Sequence, residues 1–317
     1  MNAIQTALKN LVSAPASARP LAVFRIGLAA VLLVQALLFA GNLLELYGSR
    51  GIVQWSVLDP GTPDYLPRIG WVADALAPLG VSEARSVQLV FLTYVTSLAC
   101  LLFGWRTRAA AVVAWLTHLM MNLSGRASIY GVDQFAHIGL FYCVWMPVGH
   151  ALSADVQAGR VRGGPSAAAR LALRELQFHL SIVYLSSGVE KATGIQWWNG
   201  EAIWRAVMRP DLAQFDFTWL AEVPWLAMLI CWGTLLVELG YAVLAWPKWT
   251  RTPMVLATVG MHAGIAVVLG LWTFSAVMIV LNVAAFLVPA DPQAEPRGLP
   301  ALRLGERAKL LLSRHTA

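Results

Sequence analysis

The chain reads as an all-α integral membrane protein with about eight transmembrane helices and both termini in the cytoplasm. Three observations predict this. Hydrophobic residues fill 58% of the 317 positions and charged residues only 13%, where a soluble domain carries about 25% charged residues. A water-soluble fold of this size would need more polar surface than that. Long apolar runs recur along the chain, several close to the roughly 20 residues that cross a bilayer as helix. Lys and Arg also alternate between the two sets of connections: fifteen fall on the side that holds the termini and seven on the other, with Arg25 inside the first run. Excess positive charge marks the cytoplasmic side.

In chain order, the first run covers 20–40. It is longer than the apolar core of a secretory signal and contains Arg25, so it is expected to stay in the protein. An outer loop at 41–85 follows, punctuated by Gly48-Ser49, Asp59-Pro60-Gly61 and Leu79-Gly80, with a short helix expected near 71–79. Further spans are expected at 87–103, 108–122, 133–148 and 174–190, then at 223–246, 253–269 and 271–289. A second outer loop at 192–222 carries Trp197, Trp198, Trp204, Phe215, Phe217 and Trp219. Such aromatics form an interfacial belt or line a substrate vestibule, and both readings put them at the same depth. Residues 1–290 therefore make one transmembrane domain, followed by a basic cytoplasmic tail at 291–317 whose 299–312 segment is amphipathic.

The net charge of +6 requires no nucleic acid partner. A basic cytoplasmic face contacts anionic lipid headgroups, and no aromatic platform accompanies the charge as an RNA-binding arm would need. Cys100, Cys143 and Cys231 all lie in apolar runs and match no closely spaced zinc or redox motif, so they read as small buried hydrophobes. His118 and His137 lack a carboxylate at dedicated metal-site spacing, and no metal is expected.

The most informative segment is Tyr184-Leu185-Ser186-Ser187-Gly188-Val189-Glu190-Lys191, an apolar run that ends in adjacent acid and base before Trp197-Trp198-Asn199-Gly200. Ionisable groups at a membrane segment are costly unless they snorkel, pair or work. Glu175, His179, Ile182, Ser186 and Glu190 share one helical face, and Tyr184, Ser187 and Lys191 a neighbouring one. A polar stripe facing lipid is costly, so it is expected to face helices or a cavity. One reading is a packing network with Glu190 paired to Arg205 or Arg209; the other is chemistry. Arg25 is a candidate partner for Asp133 or Glu238, and Asn282 reads as a helix-helix contact.

Tyr184, Gly188-Val189-Glu190-Lys191, Trp198 and Gly200-Glu201-Ala202 together resemble the signature of the horizontally transferred transmembrane (HTTM) domain family, which includes vitamin K-dependent gamma-carboxylase. The resemblance runs from Arg25 and Gly27 to Phe286. It implies an eight-helix membrane domain and a lysine on the outer side acting as base on a reduced quinone such as vitamin K hydroquinone, with Lys191 at the matching position. Burial favours the neutral amine that a base requires. His262, followed by Leu271-Trp272-Thr273-Phe274-Ser275, resembles the family histidine associated with the quinone pocket, and a neutral imidazole can hold a quinone oxygen. Tyr184, Trp198, Glu190, Asp133 and Arg25 complete the expected supporting set.

Two departures bear on the reaction. Glu190 stands where the carboxylase has a second lysine, and Gly131-Val132-Asp133-Gln134 stands where it has an asparagine-histidine pair. Asp133 cannot duplicate an amide donor. The large extracytoplasmic domain of the carboxylase has no counterpart. Two function classes follow: a cytoplasmic-membrane enzyme acting on a quinol or other apolar substrate, or a non-catalytic maturation or assembly factor for a secreted peptide or protein. A transporter would show paired discontinuous helices in two related halves, and no such repeat is visible.

Overall fold

The computed structural model describes residues 12–126 and 129–292. The amphipathic segment expected at 299–312 lies outside the described residues. Among these, every extended element is a helix, and the only β pairing is an isolated antiparallel bridge between Ala16 and Ser166.

Each of the eight apolar runs is helical: α1 (Arg19–Phe39), α3 (Glu83–Phe103), α4 (Thr107–Ser124), α5 (Gly131–Trp145), α6 (Ala167–Thr193), α8 (Pro224–Leu244), α9 (Lys248–Leu269) and α10 (Trp272–Asn282). The two outer segments add α2 (Ile69–Leu76) and α7 (Glu201–Val207). By length and composition four stretches can cross a membrane: Arg19–Tyr47, which continues α1 through a 3-10 turn, Glu83–Phe103, Pro224–Leu244 and Lys248–Leu269. Their outward faces carry Leu38, Leu236 and Val243, each more than two-thirds exposed. Large apolar side chains turned outward are the surface a lipid-facing helix presents.

Local chemistry sets the helix ends. Ser82 and Ser166 cap α3 and α6, their hydroxyls accepting from the N–H groups of Arg85 (3.4 Å) and Ala169 (3.1 Å). Pro224 opens α8, where a missing N–H costs nothing. α9 starts at Lys248, five residues before the expected start at Pro253, because Pro253 is accommodated within the helix. α3 ends at Gly104, whose φ of 68° suits glycine. A β carbon there would collide with the Arg25 guanidinium. At the other extreme of the chain, α10 passes into a π turn, Val283–Leu287, and side chains meet the carbonyls around this junction. Gln177 Nε2 donates to Ala285 O (2.6 Å) and Asn282 Nδ2 to Met278 O (2.8 Å).

The helices gather around a core that includes Phe24, Leu28, Leu98, Ala114, Leu140, Leu176 and Tyr241. One end of the bundle collects the tight connections at 104–107 and 146–166 with residues 14–18 and 288–290. Ser17 N–H donates to Ala290 O and Asp155 N–H to Gly104 O, both at 3.0 Å. The other end collects the 41–85 segment, the start of α5, residues 194–222 and the turn between α9 and α10. There Ile69 N–H donates to Ser124 Oγ (3.0 Å), and Gly270 packs against Gln214. A small cluster of Val207, Leu220 and Ala227, with Trp204 and Phe217 against it, ties the 194–222 segment to α8.

Candidate functional site

The last turns of α6 place Tyr184, Ser187 and Lys191 on one face, three and four residues apart. Gly188 makes the site possible. A β carbon on it would stand 3.0 Å from the Leu239 backbone nitrogen and 3.1 Å from Glu238 Cβ, so its absence lets α6 and α8 approach closely. That approach brings Glu238 against Lys191. Lys191 Nζ lies 2.9 Å from Glu238 Oε2, donates to Ser187 Oγ at 2.5 Å, and sits 5.4 Å from the centre of the Trp197 ring. The Glu238 side chain is 8% exposed and that of Lys191 24%, so the pair bridges interior and mouth.

Beside this ion pair runs a chain of hydrogen bonds through four helices. Tyr241 Oη of α8 donates to Asn282 Oδ1 of α10 (2.6 Å), and Asn282 Nδ2 donates to Tyr184 Oη of α6 (2.7 Å). Tyr184 Oη meets His262 Nε2 of α9 at 2.8 Å. With the Tyr184 proton donated to Nε2, which the amide donation to Tyr184 Oη leaves free to happen, the ring proton stands on Nδ1. His262 is 2% exposed, and its Nδ1 has no hydrogen-bond partner among the described residues.

Lys191, Glu238, Tyr184 and His262 all line one cavity of about 680 Å³. Its remaining wall is mainly apolar, built from Phe135, Val183, Leu226, Ile265, Phe274 and Met278, with Phe217, Trp219 and Leu220 of the 194–222 segment across its end. The volume falls within the range of about 300–1,000 Å³ typical of small-molecule sites, and a few polar groups converging in an apolar wall is their usual composition. Such a site can hold an apolar ligand, offer one N–H from His262, and exchange a proton at the Lys191–Glu238 pair.

The structure thus unites Lys191, His262 and Tyr184 in one cavity lining and places the rest of the expected set outside it. Glu190 is exposed on the opposite side of α6, with Ile182 and Ser186. The stripe divides: His179 Nδ1 meets Tyr142 Oη of α5 at 2.7 Å, facing a helix as expected, whereas Ile182, Ser186 and Glu190 turn outward because the closest helix packing follows Gly188. Arg205 and Arg209 pair with Glu201 and Asp211, not with Glu190. Trp198 lies outside the cavity lining: its indole N–H donates to Ala192 O (2.8 Å) and its carbonyl accepts from Trp232 (3.0 Å), which leaves Trp197 facing Lys191. Asp133 sits at the start of α5, accepting from Tyr130 N–H (3.0 Å) and the Gln35 side chain. Arg25 is at the far end, donating to Leu152 O (2.6 Å), so it pairs with neither Asp133 nor Glu238.

Asn282 makes the helix-helix contact read from the sequence, bridging Tyr241 and Tyr184; sequence reasoning missed Glu238 as the partner of Lys191, and Tyr241 as the start of the chain that leads to His262. The available signal was a lone carboxylate in the otherwise uncharged 224–244 run. His118 and His137 stack 5.7 Å apart, and among the described residues no group of three or more His, Cys, Asp or Glu side chains is arranged to hold a metal ion.

Comparison with known proteins adds the family. The model of the HTTM domain matches residues 14–289, most of the chain. The chain belongs to the HTTM domain family. The helices that build the cavity all lie inside this HTTM domain. It is also similar to the uncharacterized protein YitO of Bacillus subtilis, 24% identical over 223 residues, which is 67% of this chain and 71% of that protein. No solved structure matches this HTTM protein.

Proposed function

We propose that this HTTM-domain protein binds a neutral, largely apolar ligand bearing a hydroxyl or carbonyl oxygen, and that Lys191 acts on it as a general base. The observation that carries this reading is the Lys191–Glu238 pair set in an apolar cavity beside His262, whose Nδ1 has no partner among the described residues. An ammonium cannot be a base, so Lys191 must first give up a proton. Glu238 is the acceptor within reach: an Nζ–H bond breaks, an O–H bond forms at the carboxylate, and both groups become neutral. The free amine then takes a proton from the ligand hydroxyl, while His262 Nδ1–H donates to a ligand oxygen. A proton transfer of this kind contributes about 10²–10⁴ in rate.

The family resemblance makes a reduced quinone such as vitamin K hydroquinone the first ligand to try. The donor set fits: an apolar wall suits rings, and the base and the N–H donor suit quinol oxygens. Bound there, a hydroquinone would supply the electrons for reaction with molecular oxygen. The test is hydroquinone oxidation and epoxide formation by purified protein in nanodiscs, with Lys191→Ala alongside. Epoxide formed by the parent and reduced at least about 100-fold in the folded variant is expected. A folded parent that binds the quinol yet forms no epoxide above background would end the reading.

In this reading the protein sits in the cytoplasmic membrane with eight spans, both termini and the arginine-rich end in the cytoplasm, and Lys191 near the extracytoplasmic side. A second reading, a maturation or assembly factor for a secreted peptide or protein, draws on Phe215 and Trp219, 57% and 49% exposed beside the cavity end. It predicts that Lys191→Ala leaves that role intact.

A further inference from the structure

Two glycines of α9 have no structural reason to be glycine. Gly260 and Gly264 lie inside the helix with ordinary helical backbone, and a β carbon built on either would meet no atom within 4 Å. A glycine within a helix costs about 1 kcal/mol relative to alanine, so each weakens α9 without permitting a contact. Paired glycines four apart in a membrane helix usually let another helix approach, yet here they face open space. Both line the 680 Å³ cavity, and both are exposed. Across from them on α8, Ile230 is cavity-lining and 44% exposed, with Thr234 one turn deeper. Residues that belong to the cavity wall and to the outer surface at once mark an opening. Its position, near the middle of two helices long and apolar enough to cross a bilayer, is hydrocarbon depth.

We infer that the cavity opens sideways into the bilayer through a slot between α8 and α9, kept clear by Gly260 and Gly264, and that its occupant is the hydrocarbon tail of a membrane amphiphile. This inference rests on the reading of the cavity as a ligand site. An independent observation places the polar end of such a ligand: the unpartnered Nδ1 of His262, 2% exposed, belongs to a ring lining the same space. The slot leads inward to Phe274 and Met278, a depth that a helix of a second copy, lying against the outer face, would leave unfilled. A tail enters at the level of the acyl chains, and the head meets Lys191 and His262 without crossing the aromatic cover at 194–222.

The test uses nanodiscs containing a phosphatidylcholine with a diazirine on its acyl chain. After photolysis, adducts are mapped in the parent protein and in Gly260→Leu, Gly264→Leu and the double variant. Leucine fits the open space and raises helix propensity, so the variants are expected to fold. Adducts on Phe274 and Met278 in the parent, lost in the variants while outward-facing Leu236 stays labelled, are expected. The slot is overturned by no interior adducts in the folded parent, by equal interior labelling in parent and variants, or by leucine dissociating a dimer. No quinol or turnover enters the measurement, so failure of the quinol reaction and failure of the slot are separate results.

Discussion

The two ends of the helix bundle both bury charge, and they treat it differently. At the arginine-rich end, Asp155 accepts from Arg106 N–H (2.9 Å), Thr107 N–H (2.8 Å), Thr107 Oγ1 (2.7 Å) and Arg160 (3.0 Å). Burial alone would raise its carboxyl, but these donors outweigh burial and hold it at about 2. Arg25 is packed against Gly104 so tightly that no side chain fits there. At the cavity end the close approach at Gly188 brings Lys191 and Glu238 together, and beyond them lies space. Asp155, with four donors on its carboxylate, secures the connection between α3, α4 and the 146–166 segment. Charge facing an apolar space is available to a ligand.

The comparison is broken most severely at Gly104. Gly104→Val would add a β carbon onto Arg25 and Ser153 at a positive φ, combining overpacking with backbone strain, and is expected to cost about 3 kcal/mol or more. Thermal unfolding in detergent should show it, and a near-parental midpoint would mean the arginine-rich end is looser than described. Asp155→Asn is expected to cost about 2–3 kcal/mol, because one face of the carboxylate network becomes a donor. The folded value lies below the ordinary 3.8, so the stabilisation is complete above that value and is lost as pH falls through about 2. An acid-unfolding curve of Asp155→Asn should lack this loss.

At the other end a smaller stability change and a larger functional one are expected. Glu238→Gln leaves the partly exposed Lys191 without its counterion and is expected to cost about 1–2 kcal/mol. Lys191→Met combined with Glu238→Leu should restore stability while abolishing proton transfer, as removal of both members of a buried pair often does. A double variant no more stable than Glu238→Gln would make the pair structural. The smallest effect belongs to Glu190→Gln, within about 0.5 kcal/mol and without change in ligand binding, because the side chain is exposed. A marked loss there would move the site to the other face of α6.

The helical class and the eight apolar runs were legible because they depend on composition and on periodicity along the chain, and local rules act within a few residues. Lys191 and His262 were legible through motif resemblance, and Tyr184 through its spacing from Lys191. Which carboxylate meets Lys191 was not. Glu190 is its chain neighbour and Glu238 is 47 positions away, but a helix turns adjacent residues about 100° apart, and the glycine between α6 and α8 decided which face closes on which. The same holds for Trp197 over Trp198, and for Arg25, whose long side chain found a carbonyl near its own end of the bundle. Tyr241, Asn282, Tyr184 and His262 come from four helices, so their hydrogen-bonded order exists only once those helices pack. By itself the sequence determined a membrane-type helical protein and where its polar residues occur along each helix. Only tertiary structure decided which of them share a cavity, because contacts between helices depend on close approach and rotation, which no single helix specifies.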